Sequence, residues 1–568
     1  MSALLTDNLP LLAGAPNGIR KLRELILELA VRGKLVAQDP SDEPASELLK
    51  RIAEEKARLV AEGRIRKQKA LAEIGEEEKP FELPEGWEWV RLGDSLEMIN
   101  GRAFKPAEWK DSGLPIVRIQ NLNRSDAPFN YCDGSVIDSR HLIDNGSFLI
   151  SWSGTPGTSF GAFIWRRGKA ALNQHIFSCV QKGDAFFDEF LRLAINTRLE
   201  ELIAKAHGGV GLQHVTKGKL EALTLVLPPV AEQHRIIAKV DELMVLCDRL
   251  EARQSDAASA HTRLVQALLD SLPQASDAAD FAASWQRLSA HFHSLFTSES
   301  SIDALKQTLL QLAVMGKLVP QDPEDEPASE LLKRIAEEKA QLVAEGMIKK
   351  QKPMAEIGEE KKPFALPKRW EWCRIKNLVF IKHGYAFSSS YFRESVCSFI
   401  LTTPGNFFET GGFRDRGGRT KYYCGPVAKE FILDSGDLIV AMTEQATGLL
   451  GSAAFIPEDG NIYLHNQRLG KLVFNRELLS PKYLFYYFNG PFLRACISKS
   501  STGMKVKHTS PEKIGIVSFP LPPLAEQHRI VTKLDELFAL CDQLKSSLSA
   551  ARQLHERLAA TLLEQAVA

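Results

Sequence analysis

Most of this chain is written twice. Residues 34–61 read KLVAQDPSDEPASELLKRIAEEKARLVA, and residues 317–344 read KLVPQDPEDEPASELLKRIAEEKAQLVA, an offset of 283. The match continues through KQKALAEIGEEEKPFELPEGWEWVRL (67–92) against KQKPMAEIGEEKKPFALPKRWEWCRI (350–375). A second matched block, LPPVAEQHRIIAKVDELMVLC (227–247), returns as LPPLAEQHRIVTKLDELFALC (521–541) at an offset of 294. Between these blocks, residues 93–226 and 376–520 share only scraps. These are Asp144-Asn145-Gly146 against Asp434-Ser435-Gly436, Asn173-Gln174-His175 against Asn466-Gln467-Arg468, and Gly209 with His214 against Gly503 with His508. A solenoid would repeat every 20–50 residues or so. This pattern is a duplicated frame holding two unlike inserts.

The frame reads as helix. Apolar residues at Ile236, Val240, Leu243, Cys247 and Leu250 alternate steps of four and three, and Ile530, Leu534, Leu537, Cys541 and Leu544 repeat the register. So narrow a stripe predicts a coiled-coil seam. The proline pairs 228–229 and 522–523 fit just ahead of the helix starts. Leu264, Leu268 and Leu269, and Leu558 and Leu562, can extend the seam. A helix of about 40 residues spans about 60 Å. The duplication predicts that the two helices pair with each other about a pseudo-twofold axis, through Ile236, Val240, Leu243 and Leu250 against Ile530, Leu534, Leu537 and Leu544. Segments 44–63 and 327–346 read as charged, solvated helices. In the inserts, 114–119, 147–151 and 437–441 are strand-like, Gly and Asn turns punctuate them, and helices are predicted over 187–206 and 481–498. The fold class is α+β: two globular mixed domains in an internally duplicated frame of two long coiled-coil helices.

Catalytic signatures are missing from the sequence. There is no GxxxxGK[ST] loop and no GxSxG elbow. Gly208-Gly209-Val210-Gly211 neither follows a clear strand nor opens a dinucleotide-binding unit. Asn489-Gly490-Pro491-Phe492 resembles the Asn-Pro-Pro-aromatic corner of amino-methyltransferases with the wrong second residue, and reads as a helix-start turn. The acidic run Asp322–Glu326 has a twin at Asp39–Glu43 and belongs to the frame rather than to a metal site. Eight cysteines without a CxxC pair predict reduced, mostly buried thiols. No uncharged apolar run approaches the roughly 18 residues of a membrane span, and Asp7, Pro10 and Pro16 interrupt any leader-like core, so a cytoplasmic protein is expected.

Charge is unevenly placed. Lys+Arg and Asp+Glu both total 71. Over 366–523, however, 20 basic residues face 12 acidic ones, whereas over 83–229 each sign numbers 16. A local excess of +8 suits contacts with phosphates.

Leu83-Pro84-Glu85-Gly86-Trp87-Glu88-Trp89 resembles the sequence that opens a target-recognition domain in type I restriction-modification specificity subunits. Leu366-Pro367-Lys368-Arg369-Trp370-Glu371-Trp372 repeats it with Lys-Arg in place of Glu-Gly. Pro228-Pro229-Val230-Ala231-Glu232-Gln233 and Pro522-Pro523-Leu524-Ala525-Glu526-Gln527 look like the starts of that family's conserved helices, and the Lys34-Leu35-Val36 segment looks like its repeated element. The resemblance implies five parts: an N-terminal conserved region (1–82), a first recognition domain (83–229), a central helical spacer (230–365), a second recognition domain (366–523) and a C-terminal helix (524–568). It implies that each domain reads half of an interrupted double-stranded DNA site and that the two long helices pair antiparallel and hold the two domains apart. The helices would also dock two modification (M) subunits, which carry S-adenosylmethionine. Restriction (R) subunits would bring ATP and Mg, and this chain itself would hold neither cofactor nor metal.

Guanidinium and amide groups are the efficient readers of base edges. The candidates in the first insert are Arg118, Gln120, Asn121, Asn123 and Arg124. In the second they are Arg414, Arg416, Arg419 and Lys421, with Lys505 and Lys507 as phosphate contacts. Two rival classes are a nuclease or methyltransferase acting alone, and a purely structural coiled-coil scaffold. The missing motifs count against the first, and unlike inserts in a nearly constant frame count against the second.

Overall fold

The computed structural model describes residues 9–62, 71–154, 160–205, 213–214, 216–276, 278–345, 357–359, 362–501 and 507–567. Two compact units divide the chain: Met1–Asp256 together with Ala551–Ala568, and Ala257–Ala550. Among the described residues no helix is long and apolar enough to cross a membrane.

In the first unit, α1 (Gly18–Val31) buries Leu22, Leu25, Ile26 and Leu29, which recur at helical spacing on one face. Gly33 then turns the chain with φ +68°, and a Cβ there would lie 2.4 Å from the Pro84 ring, so only glycine fits. Helix α2 (Ala45–Ala61) follows. Strand β1 (Glu88–Arg91) opens the insert and β10 (Thr224–Leu227) closes it, and the two pair antiparallel with Glu88 opposite Leu227. Entrance and exit of the insert therefore share one two-stranded clasp.

Two four-stranded sheets lie between the clasp strands. The first has the order β2 (Leu96–Asn100), β9 (Ile176–Gln181), β6 (Phe148–Ser151), β7 (Gly161–Ile164). The second has the order β4 (Asn130–Cys132), β3 (Leu114–Val117), β8 (Ala170–Leu172), β5 (Leu142–Ile143). Strands β3 and β8 are parallel, with Val117 opposite Leu172. The strand predicted to reach residue 119 stops at Val117, because a one-turn helix, α3 (Ile119–Asn123), begins there. Helix α4 (Asp188–Lys205) is clamped to edge strand β7 by Asn196. Its amide accepts from the Ala162 N–H (2.7 Å) and donates to the Ala162 carbonyl (3.2 Å).

The frame helix α5 (Val230–Gln274) follows the clasp. The second unit repeats the plan with α6 (Glu299–Val314), α7 (Ala328–Ala344), and a clasp of β11 (Glu371–Arg374) with β21 (Ser518–Leu521). Its sheets run β12 (Phe380–His383), β20 (Leu469–Val473), β17 (Leu438–Ala441), β18 (Ala453–Phe455), and β13 (Phe392–Arg393), β15 (Tyr422–Tyr423), β14 (Phe399–Thr402), β19 (Tyr463–His465), β16 (Ile432–Leu433). The single helix predicted over 481–498 is two, α8 (Pro481–Asn489) and α9 (Pro491–Ser500). Pro491 has no N–H to continue the ladder and starts the second helix instead. Asn489 clamps β18 through both polar atoms of its amide to Ala453, as Asn196 clamps β7. Helix α10 (Leu524–Val567) ends the chain.

The long helices carry the chain out of one unit and back. The first unit's core takes Ile236, Val240, Leu243 and Cys247 from the start of α5 and Ala559, with Leu562 and Leu563 packed against it, from the end of α10. The second unit's core takes Val265, Leu269 and Leu272 from the end of α5 and Ile530, Leu534 and Cys541 from the start of α10.

Each stripe lies in the core of its own unit. The stripe of Ile236, Val240, Leu243 and Leu250 is buried with α1 of its own unit, where Arg23 bonds Asp248 (2.6 Å) and Glu251 (2.8 Å). The stripe of Ile530, Leu534, Leu537 and Leu544 lies in the core that contains α6, where Lys306 and Lys545 meet Asp542 and Asp303, each at 2.5 Å. A helical period reports that a face is covered, not what covers it.

One contact recurs in both units and joins three frame segments. The buried Trp87 indole donates to Glu232 (2.9 Å), whose other oxygen accepts from Gln38 (3.0 Å). Arg235, one turn on, grips Asp42 with two bonds of 3.3 and 2.6 Å. Gln233 is fully buried, accepts from the Phe187 N–H and donates to the Ala185 and Pro228 carbonyls. In the second unit Trp370 and Gln321 bind Glu526 (2.9 and 2.7 Å), Arg529 binds Asp325, and Gln527 accepts from the Ser480 N–H. The strings WEW and AEQHR repeat because each is one half of this latch.

Replacing Trp87 by Phe removes a donor from a buried carboxylate, and stability should fall by about 1–3 kcal/mol, measured by urea unfolding, with W370F doing the same in the second unit. Burial raises the carboxyl pKa of Glu232 and Glu526 above the ordinary 4.5, against the opposing hydrogen bonds from the tryptophans. The folded chain then holds protons the unfolded chain has released, so this contribution to stability is present below 4.5 and is lost as pH rises through the folded-state value. Urea midpoints compared from pH 4 to 7 should show a shallower decline in an E232Q/E526Q chain than in the parent.

Candidate nucleic-acid interface

In the first insert the site begins where β3 ends. Asn121 caps the turn: its Oδ1 accepts from the Arg118 N–H (3.0 Å), and its Nδ2 donates to the Ala127 and Pro128 carbonyls (both 3.2 Å). It is 2% exposed. Asn121 is therefore corrected from a base contact to a structural cap, since both polar atoms of its amide are already used. The same turn leaves Gln120, Asn123 and Arg124 exposed and Arg118 half-buried. Arg167 holds the turn from behind, donating to the Asn121 and Ser125 carbonyls while its guanidinium lies 4.4 Å from the Phe129 ring centre.

Beside this turn stands the Asn173-Gln174-His175 corner between β8 and β9, the Asn173 N–H donating to the Val117 carbonyl (3.1 Å). His175 packs on Trp152 with ring centres 5.3 Å apart, and Gln174 Nε2 lies 3.2 Å from His175 Nε2. The two segments share an open groove of about 990 Å³. Arg118, Gln120, Asn123 and Arg124 line it together with Asn173, Gln174, His175, Phe104 and Trp109. Trp109 is 43% exposed and sits 5.7 Å from the Arg118 guanidinium. Four of the five sequence candidates thus share one concavity. Arg124 is tied to Asp126 (3.0 Å), but both are exposed and such a pair is worth about 0–1 kcal/mol. Trp109, Phe104, Gln174 and His175 were not among the sequence candidates. The repeated Asn-Gln dipeptide was the one signal that could have found them. A groove with amides, guanidiniums and the exposed Trp109 indole can hydrogen-bond base edges and pack against base or sugar faces.

The second insert builds the equivalent turn differently. Asn406 takes the capping role, accepting from the Thr403 N–H (3.0 Å) and hydroxyl (3.1 Å), and is 3% exposed. Arg414 is corrected as well: its guanidinium bonds Glu409 (2.7 Å) and stacks 4.7 Å from the Phe408 ring centre, so it shapes its own loop. The Arg416 guanidinium folds over Gly405, 3.1 Å from where a Cβ would stand. Arg419 and Lys421 are exposed. Lys507 is exposed beside the Thr443–His508 bridge, its Nζ 4.0 Å from Glu444. Lys505 lies outside the described residues.

The expectation of free thiols is corrected for two cysteines. Cys397 and Cys424 form a disulfide, their Cα atoms 6.0 Å apart, and the loop it closes contains Arg414, Arg416, Arg419 and Lys421. Cys132, Cys179, Cys247, Cys373 and Cys541 are free and buried, and Cys496 is free and half-buried. Burial pushes all six thiols up from their usual range. Among the described residues no cluster of three or more His, Cys, Asp or Glu is arranged to hold a metal.

The family model described as "Type I restriction modification DNA specificity domain" matches residues 84–258 and again 367–551. The EcoAI type I restriction enzyme specificity subunit of Escherichia coli is 39% identical over 97% of this chain and 94% of its own length. The EcoEI specificity subunit, also from Escherichia coli, is 36% identical with the same coverage. Among solved structures, one on assembly and conformational transition of the type I R-M system aligns at 19% identity and a TM-score of 0.47, covering 86% of this chain and 99% of that one.

The two asparagine roles separate in a stability measurement. N121A removes a buried cap and should cost about 1–2 kcal/mol, whereas N123A, two residues on and exposed, should leave the unfolding midpoint of the full chain unchanged.

Proposed function

The chain belongs to the type I restriction-modification DNA specificity family, and from that premise we propose that it is the non-catalytic subunit that chooses where such a complex acts. Each insert reads one half of an asymmetric, interrupted site in double-stranded DNA. The first does so with the groove lined by Arg118, Gln120, Asn123 and Trp109, and the second with the basic loop carrying Arg416, Arg419 and Lys421. The observation that carries this reading is the contrast between the two inserts. Both hang from the same clasp and the same Trp–Glu latch, and both cap their first turn with a buried asparagine, yet the exposed side chains differ. A constant mount with a changing surface is what a reader of two different half-sites requires.

Bond-making chemistry is supplied by other chains. Two M subunits dock on the frame helices and bring S-adenosylmethionine for adenine methylation. R subunits bring ATP and Mg for restriction. The assembly works in the cytoplasm, where the DNA is. The excess of basic residues over 366–523 supplies phosphate attraction for the second head, and binding through it weakens with salt as counterion release demands.

Single-molecule sequencing of host DNA with and without this gene tests the reading. The expected result is loss of methyladenine at one asymmetric, interrupted motif; loss at a continuous palindrome, or no loss, overturns it. Exchanging residues 366–523 for another insert should change one half of the motif only, and a change in both halves would refute separate readers.

A further inference from the structure

The corner between β19 and β20 of the second head was not among the sequence candidates. Its backbone is fixed from several directions. Thr402 pairs with His465 across the parallel β14–β19 ladder. The Tyr385 N–H donates to the His465 carbonyl (2.8 Å), and the Gln467 N–H returns a bond to the Tyr385 carbonyl (2.9 Å). Asn466 Oδ1 accepts from the Arg468 N–H (2.9 Å), and the Asn466 carbonyl accepts from the Leu469 N–H (3.0 Å). Gly384 packs so closely beneath that a Cβ would stand 2.1 Å from the Asn466 carbonyl oxygen. Buried His465, its pKa lowered by burial to about 4 and its ring therefore neutral, lies 3.0 Å from the Leu469 carbonyl.

From this mount Gln467 and Arg468 project into solvent, and among the described residues neither side chain has a hydrogen-bond or ion-pair partner. An unpaired guanidinium on so fixed a backbone is positioned for a ligand with two acceptors. The first head supplies a control. A Cβ on Gly101 would likewise stand 2.1 Å from the Asn173 carbonyl oxygen, Val117 pairs with Leu172, and the corner reads Asn173-Gln174-His175, which lines the groove. Glycine, asparagine and glutamine are therefore common to both corners, and the third residue changes from His to Arg.

On the reading that the heads bind different half-sites, a residue that differs at the tip of an otherwise shared mount is a specificity position. We propose that Arg468 reads a guanine in the half-site bound by the second head, through two parallel bonds to its major-groove O6 and N7. The shared Gln467, with its twin Gln174, serves docking that does not discriminate between sequences. His175, offering one ring nitrogen instead of a fork, gives the first head a different preference at the corresponding place.

The test uses the full chain assembled with its modification subunits, a set of duplexes varied one base pair at a time through the second half-site, and a salt titration. R468A should lose about ten- to hundredfold of discrimination at a single guanine, leaving the first half-site and the thermal unfolding profile unchanged. R468K, a point charge without the fork, should recover affinity but not discrimination. Uniform weakening over all sequences with a salt slope shallower by about one would make Arg468 a phosphate contact and overturn the proposal. Unaltered discrimination in both variants would overturn it too, as would failure of both to fold, which would make the residue structural. If the parent complex binds no interrupted site at all, the functional reading fails, and that result is distinct from any change between parent and variant.

Discussion

A carboxylate buried under an indole is the contact on which the rest of the molecule is hung. Glu232 and Glu526 are each 1% exposed, and a carboxyl group in that position is tolerable only when both of its oxygens are met by hydrogen-bond partners. Trp and Gln meet them, and in doing so they fix the start of a frame helix against the segment that opens an insert and the turn that follows the first helix of the unit. The neighbouring glutamines, Gln233 and Gln527, tie the same helix start to the residue just ahead of α4 or α8, through Phe187 and Ser480. The direction in which each long helix leaves its unit is thus set within one turn of its first residue. Losing one partner would do more than lose one bond, because an unmatched carboxylate is costlier than none.

Much of this was legible in the sequence, and what was not has physical reasons. The duplicated strings that the sequence offers as helix starts and insert openings are the halves of the latch, and the stripes at the starts of α5 and α10 are covered as their steps of four and three require, whereas Leu264 and Leu558, expected to extend them, are exposed. What covers each stripe was not legible, because periodicity describes one face and not its neighbour. Within the turn 118–124 the spacing could not tell Asn121, which turns inward, from Gln120 and Asn123, which do not. A turn this short has no period, and the deciding factor is a carbonyl at residue 127 that only the fold brings near. Arg414 failed as a candidate for the same reason, since Glu409 and Phe408 claim it within its own loop. Trp109 was passed over because an aromatic residue in a loop ordinarily reads as core. The bond between Cys397 and Cys424 has no motif to announce it.

Comparing the inserts separates scaffold from surface. Asn121 and Asn406 cap, Asn196 and Asn489 clamp a helix to an edge strand, and Gly101 and Gly384 let a corner settle against the backbone. Each is a small or polar residue doing a steric or hydrogen-bonding task that few other side chains can perform. Around them the sequences have drifted until hardly any alignment survives. The first head carries its aromatic and amide groups around a concavity with no net charge over the insert, and the second presents cations on a cross-linked loop. Two surfaces of different chemistry have been built on one set of internal supports.

The clasps have a consequence at the level of genes. Because β1 pairs with β10, and β11 with β21, both ends of an insert belong to the same ladder. A crossover whose breakpoints fall in the repeated frame coding sequence transplants a head with both of its clasp strands. The recipient inherits a ladder whose two sides evolved together, and no register has to be negotiated between strangers. New combinations of heads can therefore arise in one event, without passing through an ancestor that fails to fold.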